Sequence, residues 1–443
     1  MVYRFYGGVH PPQSKILTSH KAIKEGPMPK RVVMPLLQHT GSPAEPVVSV
    51  GDDVKVGSLI GRATGFISSS LHASISGRVT QISYLPTPTL GRVLSISIES
   101  AGADQRLKMV ENNKVDILSK EEMLGIIRDS GIVGLGGAAF PTHVKLSPPK
   151  GKNIDSVILN GVECEPYLTS DHRLMLEKPK ELIKGLLLIM KILDVKNGFI
   201  AIEANKIDAV IAMNNALAIF QDKIKRQGIV LKVVVLGVKY PQGAEKQVIK
   251  SVLNRIIPSG GLPMDVGCIV HNVGTAFAVY EAVYFGKPLI ERVITITGSC
   301  VKEPMNLKVK IGTLLSDIIE SFGSFVEEPK RIIVGGPMMG IAQYTMDIPI
   351  TKGTTGIIFL SKDEIDESKE GACIRCGRCI EICPMGLVPT TLMYNVKKGN
   401  FVEAKALGIM NCFECGACAY ECPAKIPLLD YMKFGKVKIQ GVR

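Results

Sequence analysis

Eight cysteines near the end of the chain constrain it more than any other feature. They read Cys373-x-x-Cys376-x-x-Cys379-x-x-x-Cys383-Pro384, and the phrase returns as Cys412-x-x-Cys415-x-x-Cys418-x-x-x-Cys422-Pro423. Three thiols at two-residue intervals wrap backbone around one corner of a cubane, so amide N–H groups can point at its sulfurs. A fourth cysteine after a wider gap, followed by proline, completes the [4Fe–4S] ligand pattern, and in two-cluster chains it ligates the other cluster. The spacing therefore predicts crossed ligation. Cys373, Cys376, Cys379 and Cys422 hold one cluster; Cys412, Cys415, Cys418 and Cys383 hold the second. The alternatives are paired zinc sites or a disulfide scaffold. Zinc patterns pair two C-x-x-C units and need neither the third and fourth cysteines nor the proline.

The chain has 443 residues, room for about three or four domains at roughly 100–200 residues each. Of its 11 cysteines, Cys164, Cys268 and Cys300 lie outside the two phrases and read as small buried hydrophobes. Free thiols beside cluster ligands point to a reducing cytoplasm. The formal charge of +12 raises nucleic acid as a partner, but Lys and Arg are scattered rather than striped. Anionic cofactors, acidic partners or lipid headgroups are the simpler counterpart, and no nucleic-acid role is expected. The start of the chain has no apolar signal core, and no run reaches the 18 or more apolar residues of a membrane helix.

Residues 1–29 are rich in Pro and Gly and read as an extended lead-in. Over 30–100, short β-runs alternate with glycine turns, predicting a small β-sandwich or barrel. Ser119 with Glu122 three residues on is a capping box, so a helix should start there. It ends in the glycine-rich stretch Gly131 to Thr142. A G-x-G-x-x-A match inside that stretch is not a dinucleotide fingerprint, because no strand precedes it and Pro141 follows. Glycines here would let backbone lie against a planar cofactor. Across 115–290, strands are expected at 157–159, 199–202, 230–236 and 269–271. Helices are expected at 180–193, 207–224, 245–253 and 275–285. That rhythm predicts a mostly parallel sheet covered by helices, with ligands beyond the carboxyl ends of its strands. Residues 291–345 form a small αβ unit, 346–368 a linker, 369–430 a helical two-cluster domain and 431–443 a basic tail.

Four family resemblances follow from these motifs. The pattern V-x-x-G-D-x-V-x-x-G-x-x-I from Val48, with Ser74-Ile75-Ser76-Gly77 after it, resembles lipoyl/biotinyl domains. It lacks the hairpin lysine, which implies a structural or docking role. Residues 291–345, ending in Gly335-Gly336-Pro337-Met338-Met339-Gly340, resemble the ligand-binding β-grasp (SLBB-like) family. The glycine stretch, Asn160-x-x-Glu163-x-Glu165-Pro166, Gly243-Ala244-Glu245 and Asn272-x-x-Thr275 resemble the flavoprotein subunit of respiratory complex I. That resemblance implies non-covalent FMN facing Gly134, Gly136, Gly137, Lys145, Asn160, Glu163, Glu165, Asn272 and Thr275. It also implies NAD(H) facing Phe140 and Glu245. Leu135 stands where complex I has arginine, and Ala244 replaces the first glutamate of its acidic pair. Finally, Phe5-Tyr6-Gly7-Gly8-Val9-His10-Pro11-Pro12 and the whole domain order resemble the C subunit of Rnf-type ferredoxin:NAD+ oxidoreductases.

Membership in that family implies a multidomain α/β plus β fold. It also implies other subunits of a membrane complex as partners, ferredoxin reached through one of them, and a peripheral place on the cytoplasmic face. A flavin is the link the chemistry requires, since NAD(H) exchanges electron pairs and a cluster exchanges single electrons. Cobalamin reductase shares the flavin and cluster modules and stands as one alternative. A cluster-bearing docking scaffold with a vestigial flavin site is the other.

Overall fold

A computed structural model describes residues 3–89, 91–102, 105–107, 111–322 and 324–441. The expected parallel sheet runs Val230–Leu236, Asn197–Glu203, Ser156–Gly161, Cys268–Asn272, every neighbour parallel. Helices Pro179–Leu193, Ile207–Ile219 and Val273–Phe285 pack one face, and Glu245–Leu253 covers the other. The strands Ser156–Gly161 and Cys268–Asn272 are therefore buried on both faces, which suits their near-continuous apolar runs, while Val230–Leu236, at one edge, is mostly exposed or half-buried. The helix expected over 207–224 breaks at Phe220, whose ring turns into the core, and resumes as Gln221–Arg226. Ser119 makes the capping box with Glu122 at the start of Lys120–Asp129.

The N-terminal unit is two antiparallel sheets. One joins Arg31–Pro35, Gly91–Ser100, Gly77–Thr87 and Asp53–Val54; the other joins Glu45–Pro46, Leu59–Arg62 and Leu71–His72. Its lysine-free hairpin is buried, and the Ser74 hydroxyl donates to the Ile311 carbonyl of the next unit. No mobile arm could leave this position.

Three boundaries differ from the sequence reading. The stretch 346–368 is not a linker: Gly356–Leu360 is fully buried and lies between Glu291–Thr297 and Arg331–Val334 in a six-stranded sheet. The lead-in is not merely extended, because Ile23–Glu25 forms the edge of that same sheet, parallel to Met305–Lys310. The tail is not free either. Most of it belongs to the helix Leu428–Gln440, where Met432 and Gly435 are buried. An added Cβ on Gly435 would lie 2.6 Å from Val396, so this helix packs tightly on Pro389–Lys397. In each case the missing information is a partner far away in sequence.

Candidate functional site

Each cysteine phrase bends its backbone in the same way. Arg375 and Glu414 have φ of 57° and 64°, and Gly377 and Gly416 follow at 78° and 77°. Two left-handed residues in this order curl the chain so that three thiols face one point. Glycine takes the second position at no steric cost. The fourth thiols cross over. Cys383 lines a cavity with Cys412, Cys415 and Cys418. Burial pushes the Cys415 thiol up to about 12, with Cys412 and Cys383 adding to the effect. Cys379 is raised by burial first and then by Cys376, Cys422 and Cys373. Backbone N–H groups reach sulfur, Leu387 to Cys383 and Glu414 to Cys412 both at 3.4 Å among the described residues. An all-thiol donor set around a cavity, with amides aimed at sulfur, fits a cubane cluster. Among the described residues no group of three or more His, Cys, Asp or Glu is drawn close enough to hold a single metal ion.

The glycine stretch lies beyond the carboxyl ends of the parallel strands. Gly134 N–H donates to the Phe140 carbonyl at 2.8 Å, closing a short loop whose tip, Gly136-Gly137-Ala138, is exposed. At Gly137, φ is 109° and an added Cβ would meet nothing within 4 Å, so backbone is presented to open space. The loop is bolted to the helix Val273–Phe285: Thr275, fully buried, accepts from Leu135 N–H at 2.9 Å. Asn272 caps that helix by accepting from Gly274 N–H at 2.8 Å and donates to Asp171 at 2.6 Å. Burial, then the Glu163 charge, pushes the Asp171 carboxyl up to about 7.

Lys145 and Glu245, expected on different ligands, form an ion pair of 2.5 Å. Asn160 donates to the Gly243 carbonyl at 2.8 Å, fixing the turn that leads to Glu245. Phe140 is half-buried beside the loop. Two carboxylates have structural partners. Glu163 accepts from Asp171 and His172 N–H at 2.8 and 3.2 Å, capping the helix Ser170–Glu177. Glu165 accepts from Met338 and Met339 N–H at 3.1 and 3.0 Å, and burial pushes its carboxyl up to about 7. Leu135 turns into the core. Three buried polar atoms near the loop have no partner among the described residues: Thr142 Oγ1, His271 Nε2 and Arg292 Nε. An open glycine backbone over unsatisfied polar atoms fits a flat, polar-edged cofactor.

Sequence reasoning missed Arg292 and Lys352. Arg292 donates from Nη2 to the Leu135 carbonyl at 3.1 Å. Lys352 donates to the Gly131 and Ser70 carbonyls, both at 2.7 Å. A signal for Arg292 existed: in Glu291–Thr297 it shares the inward phase of Ile294 and Ile296, where a charge is out of place. Lys352 offered none.

These features define a flavin- and iron–sulfur-bearing electron-transfer protein. Family models agree along the chain. An RnfC barrel sandwich hybrid domain matches residues 3–103, a Nuo51 FMN-binding domain 127–281, an SLBB domain 293–342 and a 4Fe-4S dicluster domain 372–426. A solved NAD+-reducing [NiFe]-hydrogenase in the H2-reduced state shares the fold (TM-score 0.50, 16% identity, 73% of this chain and 61% of that one). The C subunit of the proton-translocating ferredoxin:NAD(+) oxidoreductase complex of Clostridium ljungdahlii is 49% identical over 91% of this chain and 87% of its own length. Its Na(+)-translocating counterpart in Acetobacterium woodii is 40% identical over 99% and 98%. The C subunit of the ion-translocating oxidoreductase complex of Rhodobacter capsulatus is 41% identical over 98% and 82%. The chain belongs to the family of C subunits of ion-translocating ferredoxin:NAD+ oxidoreductase complexes.

Proposed function

We infer that this chain passes electrons between NAD(H), FMN and two [4Fe–4S] clusters as the NAD+-reducing member of such a complex. One continuous stretch carries the reading. Within residues 237–253, the Tyr240 hydroxyl donates to the Cys415 carbonyl at 2.7 Å, and Gln247 donates to the Pro384 carbonyl at 3.2 Å. Between them lie Gly243, held by Asn160, and Glu245, paired with Lys145. The nucleotide-side residues and one cysteine set are thus only a few residues apart. Bound flavin supplies the exchange between hydride pairs and single electrons.

The chain's own residues do the rest. Gly134, Gly136 and Gly137 offer backbone to the ring, Thr275 holds that backbone still, Asn272 lies beside Gly136 and fixes the helix that carries Thr275, and Lys145 supplies positive charge balanced by Glu245. Glu163 and Glu165 act by shaping the loops. The set Cys383, Cys412, Cys415 and Cys418 abuts the flavin domain. The set Cys373, Cys376, Cys379 and Cys422 has an exposed member, Cys376, and is the side toward a partner. Ferredoxin reaches it through another protein of the complex, at the cytoplasmic face.

No helix among the described residues is long and apolar enough to cross a membrane. Lys436 is engaged by Glu414, and the few other cations of the last helix, at about 1 kcal/mol each, are too weak an anchor on lipid alone, so protein contacts are the attachment this reading expects. Protein purified anaerobically should contain about eight irons and one flavin, and NADH should bleach the flavin bands. A full iron content with no flavin and no response to NADH would leave the docking-scaffold reading instead.

A further inference from the structure

Most anchors of the glycine loop come from outside its own domain. The N-terminal β-unit supplies Thr40, whose hydroxyl donates to the Ala138 carbonyl at 2.9 Å and whose N–H donates to the Ala139 carbonyl at 3.2 Å. The same unit supplies Ser69, donating to Gly131 at 3.1 Å. The six-stranded unit supplies Lys352 on the Gly131 carbonyl and Arg292 on the Leu135 carbonyl. The two cations are themselves joined, because Arg292 Nη1 donates to the Lys352 carbonyl.

Both side chains are buried, and among the described residues every direct partner they have is a neutral carbonyl or hydroxyl. The charge acting on Arg292 from a distance is Asp171. That carboxyl already accepts from Asn272 and is disfavoured as an anion by burial and by Glu163. A buried guanidinium without a direct counter-ion is strongly destabilising, so the presence of Arg292 calls for an anion nearby. Arg292 Nε, buried and without a partner among the described residues, is a further unused donor in the same place.

Resting on the FMN reading above, we propose that Arg292 and Lys352 are positioning residues for the flavin. Both fix the glycine loop from beneath, and Arg292, which keeps its charge, supplies the positive charge that stabilises the ring when reduction makes it negative. The two roles separate by experiment. Arg292→Gln keeps a donor and removes the charge, Arg292→Lys keeps the charge and removes the fork, and Thr40→Val loosens the loop with no change in buried charge. In the whole chain, with iron content and circular dichroism as folding controls, FMN affinity is measured by fluorescence and the two-electron midpoint potential by spectroelectrochemistry.

Arg292→Gln should weaken FMN binding tenfold or more. Its midpoint potential should fall by about 30 mV for each tenfold loss of preference for reduced over oxidised flavin. Arg292→Lys should regain the potential but only part of the affinity, and Thr40→Val should lower affinity at an unchanged potential. Wild-type affinity and potential in Arg292→Gln would overturn the proposal. So would a potential that Arg292→Lys fails to recover, even where Arg292→Gln does not fold. A wild-type chain that binds no FMN would instead remove the functional reading beneath it.

Discussion

Replacing Lys352 with methionine should change how stability depends on pH. The ammonium is fully buried, and burial alone pulls its proton affinity from 10.5 to about 7. Between those values the unfolded chain holds a proton that the folded chain has lost, so folding gains stability as pH rises. Each pH step in that window is worth about 1.4 kcal/mol, or roughly 2–3 kcal/mol between pH 7 and 9. Nearby titrations do not intrude. Burial, helped by the Lys352 charge, lowers His39 to about 4 and His72 to about 3, so both are neutral throughout. Lys352→Met deletes the gain and leaves the Ser70 and Gly131 carbonyls without this donor, at about 1–3 kcal/mol each. Urea unfolding followed by far-UV circular dichroism at pH 7, 8 and 9 measures both effects. The variant should start less stable, and the wild-type advantage should widen toward pH 9. Midpoints that move in parallel would refute a buried, titrating Lys352.

Cys422→Ala should impair the same cluster as Cys379→Ala, and Cys412→Ala the other, as resolved by electron paramagnetic resonance of reduced samples; Cys422→Ala acting on the Cys412 cluster would reverse the crossed assignment. Gly137→Val puts a branched side chain at φ 109° on the open side of the loop, so bound flavin should drop severalfold while iron content holds. Tyr240→Phe leaves the buried Cys415 carbonyl without its donor, and the unfolding midpoint should fall by the equivalent of about 1–3 kcal/mol with both cofactors retained.

What could be read in advance was local. Each cysteine phrase shows its spacing within a dozen residues, and the capping box at Ser119 and the buried strands announce themselves by pattern. Glu163 and Glu165 illustrate the limit. Their spacing marked a loop of interest, but only the fold reveals a helix end beneath one and the Met338 loop beside the other. Gly356–Leu360 was hidden for a related reason: a short apolar run after a glycine turn has no periodicity that names its partners, and both of its neighbours lie elsewhere in the chain. Ile23–Glu25 finds its partner some 280 residues downstream.

The first residues and the cysteine domain meet directly. Gly8 N–H donates to the Ile382 carbonyl at 2.7 Å, and Val9 exchanges two backbone hydrogen bonds with Tyr240. At Gly7, φ is 69° and an added Cβ would lie 2.6 Å from Ile382 O, so the segment is pressed against the residue before Cys383. During synthesis this clasp must stay open until nearly the whole chain has left the ribosome. The segment can therefore close against the cysteine domain only after Ile382 has been made, as one of the last contacts of the fold. A bulky fusion placed just ahead of Phe5 would interfere with that last step, and the defect would surface as poor retention of iron by a chain whose ligands are all intact.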